Sequence, residues 1–465
     1  MVRLFNHYIP KGILGILLLE AFILAGSMYI ALLFWAEPEA GVRPGDVSRA
    51  LAEFSGVMLA SMMLMGLYTT DPEEGEGWRG TLMRVTVAFV LGFSVLAAVS
   101  AALAEPGGAM TYPLGLSMAI ALVAISIERL MFARWRRVSL PLLPRVLVLG
   151  TGSRAAQVDA VQRHGHPVRV VGYLPVKEEN HAVSGDKLLR RESGETLWQF
   201  AIRWQIDEII VGVRDRRDGG LPVDELLECK LRGVRVTDIS SYFERERGQV
   251  RLDSLNSSWL IFGDGFMQST MRNITKRLFD IAASGALLLV TFPIMLLTAA
   301  LIRMTMGAPV FYWQERVGRD GQVFRICKFR SMRNDAESDG QARWASTDDD
   351  RTTPVGRVIR KLRIDELPQV FNVFRGEMSF VGPRPERPQF VRELTEQIPF
   401  YQIRHSIRPG ITGWAQVRYP YGASVEDAKE KLQYDLYYVK NRGLFLDLTI
   451  LMQTVEVVLW GRGSR

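Results

Sequence analysis

The chain has 465 residues, a formal net charge of +7, a pI near 9.4 and a hydrophobic fraction of 48%. It is long enough for two or three domains, too apolar for a wholly soluble enzyme and too polar for a pure transporter. The basic balance points to anionic headgroups and phosphorylated substrates; nucleic acid is disfavoured because no basic, aromatic-interleaved groove motif is present.

Ile13 to Trp35 contains one charge, Glu20, whereas Val85 to Ala104 and Met110 to Ile127 contain none. Each approaches the roughly 20 residues that cross a bilayer, and each is apolar all round, unlike the one-striped helix of a soluble bundle. Leu51 to Tyr68 completes the set, although Glu53 weakens its signal. No small-residue cleavage site follows the first span. Arg129, Arg134, Arg136 and Arg137 follow the fourth, and the loop before it has no Lys or Arg, so both ends of a four-span bundle are expected in the cytosol.

The run "RVLVLGTGSRAAQV" reads as strand, glycine turn and helix start, with Gly150, Gly152 and Ala155 in a G-x-G-x-x-A pattern. Further strand-like runs at Val168 to Tyr173, Glu208 to Val213 and Val234 to Ile239 make a Rossmann-like, doubly wound domain the expectation. The run from Val168, the second strand of this domain, ends in "VGYLPVK", with no acid to hold a ribose hydroxyl, which favours a spacer or dimerisation domain over a dinucleotide site. The two cysteines, Cys229 and Cys327, have no CxxC spacing, so neither zinc nor a disulfide is expected. The five scattered histidines leave acid–base or nucleophilic chemistry to carboxylates.

Ile281 to Ile302 is again long enough to span, but Arg272, Lys276 and Arg277 precede it and Arg303 follows, so both ends prefer one side. Pro293 near its middle removes a helix hydrogen bond. The expectation is a re-entrant helix-break-helix, with a fifth full span as the alternative and Asp280 at headgroup level. Beyond it, "APVFYWQERVGRDGQVFRICKFRSM" reads as a hairpin turning at Asp320 and Gly321 and carrying Arg316, Arg319, Lys328 and Arg330.

In "IRKLRIDELPQVFN", Arg360, Lys361 and Arg363 stand directly before Asp365 and Glu366, and Pro368 suits a first helical turn. A helix start favours ionised carboxylates and phosphate alike, and two adjacent carboxylates can divide the work, one attacking phosphorus and the other holding Mg²⁺. Alone the pair is a common solvated helix start, and the three cations could simply touch anionic lipid. The Pro- and Gly-rich segments "FVGPRPERPQF" and "RPGITGWAQV" add Arg384 and Arg408 as forked phosphate donors.

The runs "KFRSM", "LRIDELPQVFNVFRGEMSFVGPRPE", "RPGITGWAQV" and "YDLYYVKN", in this order from about Lys276 to the end, resemble the bacterial sugar transferases, the monotopic phosphoglycosyl transferases. The bundle and Rossmann-like domain before them are similar to the large, exopolysaccharide-priming branch of that family. The resemblance implies that a carboxylate takes a sugar phosphate, glucose or galactose by default, from a UDP-sugar, releases UMP and passes it to undecaprenyl phosphate. Asp365 would then be the nucleophile, Glu366 the Mg²⁺ ligand and Asp435 a further acid at the site. Lys328, Arg330, Arg360, Arg384 and Arg408 would bind substrate, and Pro293 would break the membrane helix, although Phe292 precedes it where small members often have serine. An NAD-dependent nucleotide-sugar oxidoreductase or epimerase and a non-catalytic scaffold are the rival readings.

The expected fold is thus membrane α plus α/β. A four-helix transmembrane bundle occupies 1–137, a Rossmann-like doubly wound domain 145–265, and a monotopic α/β catalytic domain 270–465 with a re-entrant helix at 276–305. The terminal "LFLDLTILMQTVEVVLW" would be an interfacial helix. The expected setting is the bacterial inner membrane, with the catalytic domain in the cytosol, as a homodimer.

Overall fold

The computed structural model describes residues 2–4, 7–35, 44–68, 78–103, 111–138, 143–163, 168–176, 182–213, 221–255, 265–266, 269–333, 351–419, 422 and 424–459. The expected loop at 104–110 and the stretch 256–264, the end of the expected α/β domain, lie outside them. The chain divides into two compact units, one of Met1–Val2 and Tyr8–Gly248 and one of Arg3–His7 and Gln249–Arg465.

After two short strands, β1 (Val2–Leu4) and β2 (His7–Ile9), come four long helices: α1 (Lys11–Trp35), α2 (Pro44–Leu64), α3 (Trp78–Leu103) and α4 (Thr111–Val138). All four are long and apolar enough to cross a membrane. Consecutive helices pack on each other, and α1 also packs on α4. The charges that interrupt the apolar runs are paired. Glu20 is fully buried on α1 and receives Arg129 of α4 at 2.7 Å together with the Tyr68 hydroxyl. Glu53, which weakened the second span, is met one helical turn away by Arg49 at 2.6 Å.

The same unit contains a four-stranded parallel sheet in the order β4-β3-β5-β6, formed by β3 (Arg145–Leu149), β4 (Arg169–Leu174), β5 (Glu208–Val211) and β6 (Arg235–Asp238). Its connections carry α5 (Ser153–Arg163), α6 (Leu197–Arg203) and α7 (Val223–Leu231), and α8 (Ile239–Arg247) follows β6. Apolar cores form on both faces. Val146, Val148 and Ile210 pack toward Tyr242 and Phe243, while Leu147, Leu149 and Ile209 pack toward Phe200 and Cys229. The continuous apolar runs in β3 and β5 follow from this two-sided burial. Gly150 adopts φ +111° where the chain turns from β3 toward α5.

The second unit begins with α9 (Thr270–Thr305). The sequence led us to expect a helix broken at Pro293 within 276–305, and here the structure differs: helical backbone starts at Thr270 and passes through Pro293 without interruption. One proline removes one N–H and crowds one turn, which leaves the rest of the ladder intact. Thr291 and Thr298 donate their hydroxyls to the carbonyls of Leu287 and Ile294 at 2.7 and 2.8 Å, adding bonds on both sides of the proline.

Both ends of α9 are tied to the body of its own unit. Near its start, Arg277 donates to the carbonyls of Val373 and Phe374 at 2.5 and 2.6 Å, and the buried Asp280 accepts from Ser379 Oγ and Phe380 N at 2.9 and 3.0 Å. Toward its end, Met295 and Ile302 pack with Phe329 and Ile359. Its other face leaves Met271, Leu278, Leu289, Val290, Leu297 and Met304 exposed.

The body starts with an antiparallel hairpin, β7 (Phe311–Val317) and β8 (Val323–Phe329), which turns through Asp320 and Gly321 at φ +54° and +78°. Then come α10 (Pro354–Lys361), a 3-10 helix over Ile364–Gln369, α11 (Val370–Arg375), β9 (Ser379–Val381), α12 (Pro388–Gln397), β10 (Gly410–Thr412), α13 (Trp414–Arg418), α14 (Val425–Asn441) and α15 (Leu444–Leu459). Strands β9 and β10 pair in parallel, which lays the "FVGPRP" and "RPGITG" segments side by side. A Cβ on Gly410 would lie 2.1 Å from the Gly382 nitrogen, so backbone closeness explains why that segment needs glycine. The core is aromatic: Trp414 stacks on Tyr437, and His7 inserts beside both with its Nδ1 2.8 Å from the Tyr437 hydroxyl. Burial and then the Arg418 charge push the His7 imidazole down to about 4.

Candidate active site

Asp365 and Glu366 lie in the first turn of the 3-10 helix that leads into α11. Arg363, directly before it, adopts a left-handed conformation at φ +57°, which ends the path of α10 and starts the new turn. Pro368 falls inside the 3-10 segment, where its fixed φ is compatible. The expected full α-helical start is therefore a shorter, tighter turn, and side-chain cations dominate the electrostatics.

The two carboxylates have different surroundings. Glu366 Oε1 accepts from Lys328 Nζ of β8 and from Arg384 Nη2 of the loop after β9, both at 2.9 Å, with Arg363 Nη1 at 4.0 Å. Burial would push the Glu366 carboxyl up, but Lys328, Arg384 and Arg363 outweigh it and hold the group well below the usual range. Asp365 is 8% exposed, and its carboxylate makes no hydrogen bond or ion pair among the described residues. Burial, opposed by Lys328 and reinforced by the negative Glu366, pushes its carboxyl up to about 6. One carboxylate is thus clamped and permanently charged, and its neighbour is unengaged and more basic, a division that suits a nucleophile.

Of the remaining residues picked out from the sequence, Arg360 lies on α10, one turn before the pair, and donates to Thr352 Oγ1 at 2.9 Å. Its charge acts on Asp365 together with that of Arg363. Asp435 is fully buried on α14, where Arg404 donates to its Oδ2 from Nε at 3.0 Å. Arg404 also donates to the Arg384 carbonyl at 2.9 Å, so Asp435 reaches the carboxylate pair through two intermediaries. That path joins Asp435 to the backbone of Arg384 and not to either carboxylate. Arg363, one of the three cations noted before the pair, does reach Glu366, whereas Arg404 was not singled out from the sequence; the spacing of arginines in "IRHSIRPG" was its only available signal.

Two residues of the expected substrate-binding set stand apart from the carboxylate pair. Arg330 was expected to bind substrate, but its guanidinium donates to the carbonyls of Met306, Gly307 and Ala308 at 2.6, 3.0 and 2.9 Å, where it caps the end of α9. Arg330→Met is expected to cost about 3 kcal/mol through these unsatisfied carbonyls. Thermal unfolding of the purified chain checks this: an unchanged Tm with a raised KM for substrate would restore the binding role. Arg408 was placed with the same substrate set, but it lines a different cavity with Arg272, Lys276 and Asp280.

For a divalent cation the donor set is hard oxygen. Among the described residues no group of three or more His, Cys, Asp and Glu is assembled.

Residues 271–461 match the family model described as bacterial sugar transferase. The chain is 42% identical over 265 residues to the UDP-N-acetylgalactosamine-undecaprenyl-phosphate N-acetylgalactosaminephosphotransferase of Aeromonas hydrophila, covering 57% of this chain and 61% of that protein. It is 44% identical over 190 residues to the uncharacterized sugar transferase EpsL of Bacillus subtilis, covering 41% of this chain and 90% of that protein. A UDP-glucose:undecaprenyl-phosphate glucose-1-phosphate transferase of Klebsiella pneumoniae is 39% identical over 184 residues, 39% of each chain. The match therefore spans less than two thirds of the Aeromonas and Klebsiella proteins and nearly all of EpsL. The sequence from α9 onward, with its carboxylate pair and converging cations, carries the assignment: the chain belongs to the bacterial sugar transferase family.

Proposed function

We propose that the protein transfers a sugar 1-phosphate from a UDP-sugar to undecaprenyl phosphate and releases UMP, as a priming step of exopolysaccharide synthesis. The observation that carries this reading is the unequal carboxylate pair: an unengaged Asp365 beside a Glu366 held by Lys328 and Arg384. An Asp365 oxygen attacks the phosphorus that bears the sugar. The bond from that phosphorus to the bridging oxygen breaks, and UMP leaves with this oxygen. A phosphate oxygen of undecaprenyl phosphate then attacks the same phosphorus and frees the Asp365 carboxylate, leaving a lipid diphosphate-linked sugar. Lys328, Arg363 and Arg384 are the cations closest to the pair and oppose the charge that develops on the leaving phosphate. Mg²⁺ would be held by Glu366 with the substrate phosphates and would supply further charge neutralisation.

The Aeromonas relative is named for N-acetylgalactosamine and the Klebsiella relative for glucose, so the sugar is best found by a panel. The test incubates purified protein with UDP-glucose, UDP-galactose and UDP-N-acetylgalactosamine in Mg²⁺, with and without undecaprenyl phosphate. Near-stoichiometric UMP without lipid, and turnover with it, is the expected result; UMP only when lipid is present excludes the covalent route.

The pH dependence has a defined sign. Attack needs ionised Asp365, whose carboxyl titrates at about 6. Single-turnover UMP release is expected to be flat above about pH 7 and to fall tenfold per unit below about 6. UMP release that stays flat down to about pH 4 would show that the attacking group in the loaded site does not carry this raised carboxyl.

The seating in the membrane follows from α9. A helix that crossed a bilayer would separate its ends by about 30 Å of hydrocarbon. Here Arg277 and Ile302 both contact the same α/β body, and the opposite face of α9 is apolar and exposed. This supports a monotopic, re-entrant placement of α9. We read α1–α4 as a transmembrane bundle and the parallel sheet as a Rossmann-like spacer or dimerisation domain. Arg129 and Arg134, near the end of α4, favour a cytosolic catalytic unit at the inner membrane.

A further inference from the structure

A second cationic cavity lies in the same unit, between the first turns of α9 and α15, the hairpin turn and the loop before β10. Arg272, Lys276, Arg319, Arg408 and Arg442 line it, against two carboxylates, Asp280 and Asp447. Asp365, Glu366, Lys328 and Arg384 do not line it.

Asp447 and one oxygen of Asp280 are engaged, while Asp280 Oδ2 is buried without a hydrogen bond and its charge acts on Arg408. Asp447 forms an ion pair with Lys276 Nζ at 2.9 Å and accepts a hydrogen bond from the Tyr438 hydroxyl at 2.6 Å. Asp280 is held by Ser379 Oγ and the Phe380 N–H. Arg442 donates to Asn273 Oδ1 at 2.9 Å. Arg272 and Arg408 differ: neither guanidinium has a hydrogen bond or ion pair among the described residues, and Arg272 Nη1 is shielded from solvent. Five cations face two carboxylates here, and half-buried guanidinium groups without a direct ion pair are costly, with forks that match phosphate oxygens. The cavity volume is about 40 Å³, room for about three waters and comparable to one phosphate group. Exposed Ile274 and Leu278 on α9 and Leu444 and Leu448 on α15 lie on the helices that frame it.

We propose that this cavity is a phosphate site, separate from the carboxylate pair, that holds the headgroup of an anionic membrane phospholipid against Arg272 and Arg408. The proposal rests on the monotopic seating of α9, which puts the cavity at headgroup depth. A bound headgroup would fix the depth of α9 and, through Asp280 and Ser379, the strand β9 that leads to Arg384.

The test uses the full chain, purified in mild detergent, delipidated and titrated with phosphatidylglycerol while native mass spectrometry counts bound lipid. Diacylglycerol with the same acyl chains and inorganic phosphate form the two comparison arms. One phosphatidylglycerol per chain, bound at least about tenfold tighter than diacylglycerol, is expected for the native protein and for Asp365→Asn. The Arg272→Gln/Arg408→Gln double variant is expected to lose that tenfold. Full affinity in the double variant, or loss of binding in Asp365→Asn, overturns the site. Displacement by inorganic phosphate at equal concentration overturns the headgroup as occupant. If the double variant does not fold, Arg319→Gln, whose side chain is 42% exposed, is expected to weaken binding about threefold, and unchanged affinity there overturns the site equally. UMP release by the same native preparation tests the catalytic reading separately.

Discussion

Asp365→Asn is expected to lower UMP release by at least about 10³-fold, equivalent to about 4 kcal/mol of barrier. The amide fits the same space but has no anionic oxygen to attack phosphorus. Glu366 cannot take over, because Lys328 and Arg384 each hold its Oε1 at 2.9 Å and lower its basicity. The direct measurement uses a UDP-sugar labelled on the sugar-bearing phosphate: native protein, denatured after mixing without lipid acceptor, should retain label, and Asp365→Asn should not. Label that survives in Asp365→Asn but disappears in Glu366→Gln would reverse the two roles.

Asp435→Ala has the largest expected effect on stability. It would leave the Arg404 guanidinium buried without its counter-charge, at a cost of about 3–5 kcal/mol. Thermal unfolding of the purified chain should show a fall of several degrees or more. Pairing it with Arg404→Met removes the orphaned charge and should recover a large part of the loss. A catalytic Asp435 would behave differently: Asp435→Asn would keep the native Tm and lose turnover. The two outcomes separate a residue that acts on substrate from one that positions Arg384 through Arg404.

Much of this was readable from local pattern. Runs that are apolar all round mark α1, α3 and α4, and the Asp320-Gly321 turn marks the hairpin, because period and turn chemistry are local properties. The adjacency of Asp365 and Glu366 was equally visible, but their inequality was not. It arises because β8 packs on the 3-10 turn and brings Lys328 to Glu366 across 38 positions. Arg330 is two residues from Lys328 and looks equivalent in sequence, yet its partners are backbone carbonyls, which leave no trace in residue identity. Arg404 and Arg408 pose the same difficulty: four positions apart, one is buried on Asp435 and the other opens into the second cavity. Proline misled in the other direction, since its disfavour inside helices is an average over exposed and buried settings, and α9 accommodates it.

The early residues Arg3–His7 belong to the second unit, and His7 sits against Trp414 and Tyr437. The second compact unit is therefore discontinuous along the polypeptide, and a cut at Gln249 would separate His7 from it. A fragment starting at Gln249 would have an unfilled gap beside the indole of Trp414. A ribosome making the chain front to back would hold that plug idle until the last helices emerged.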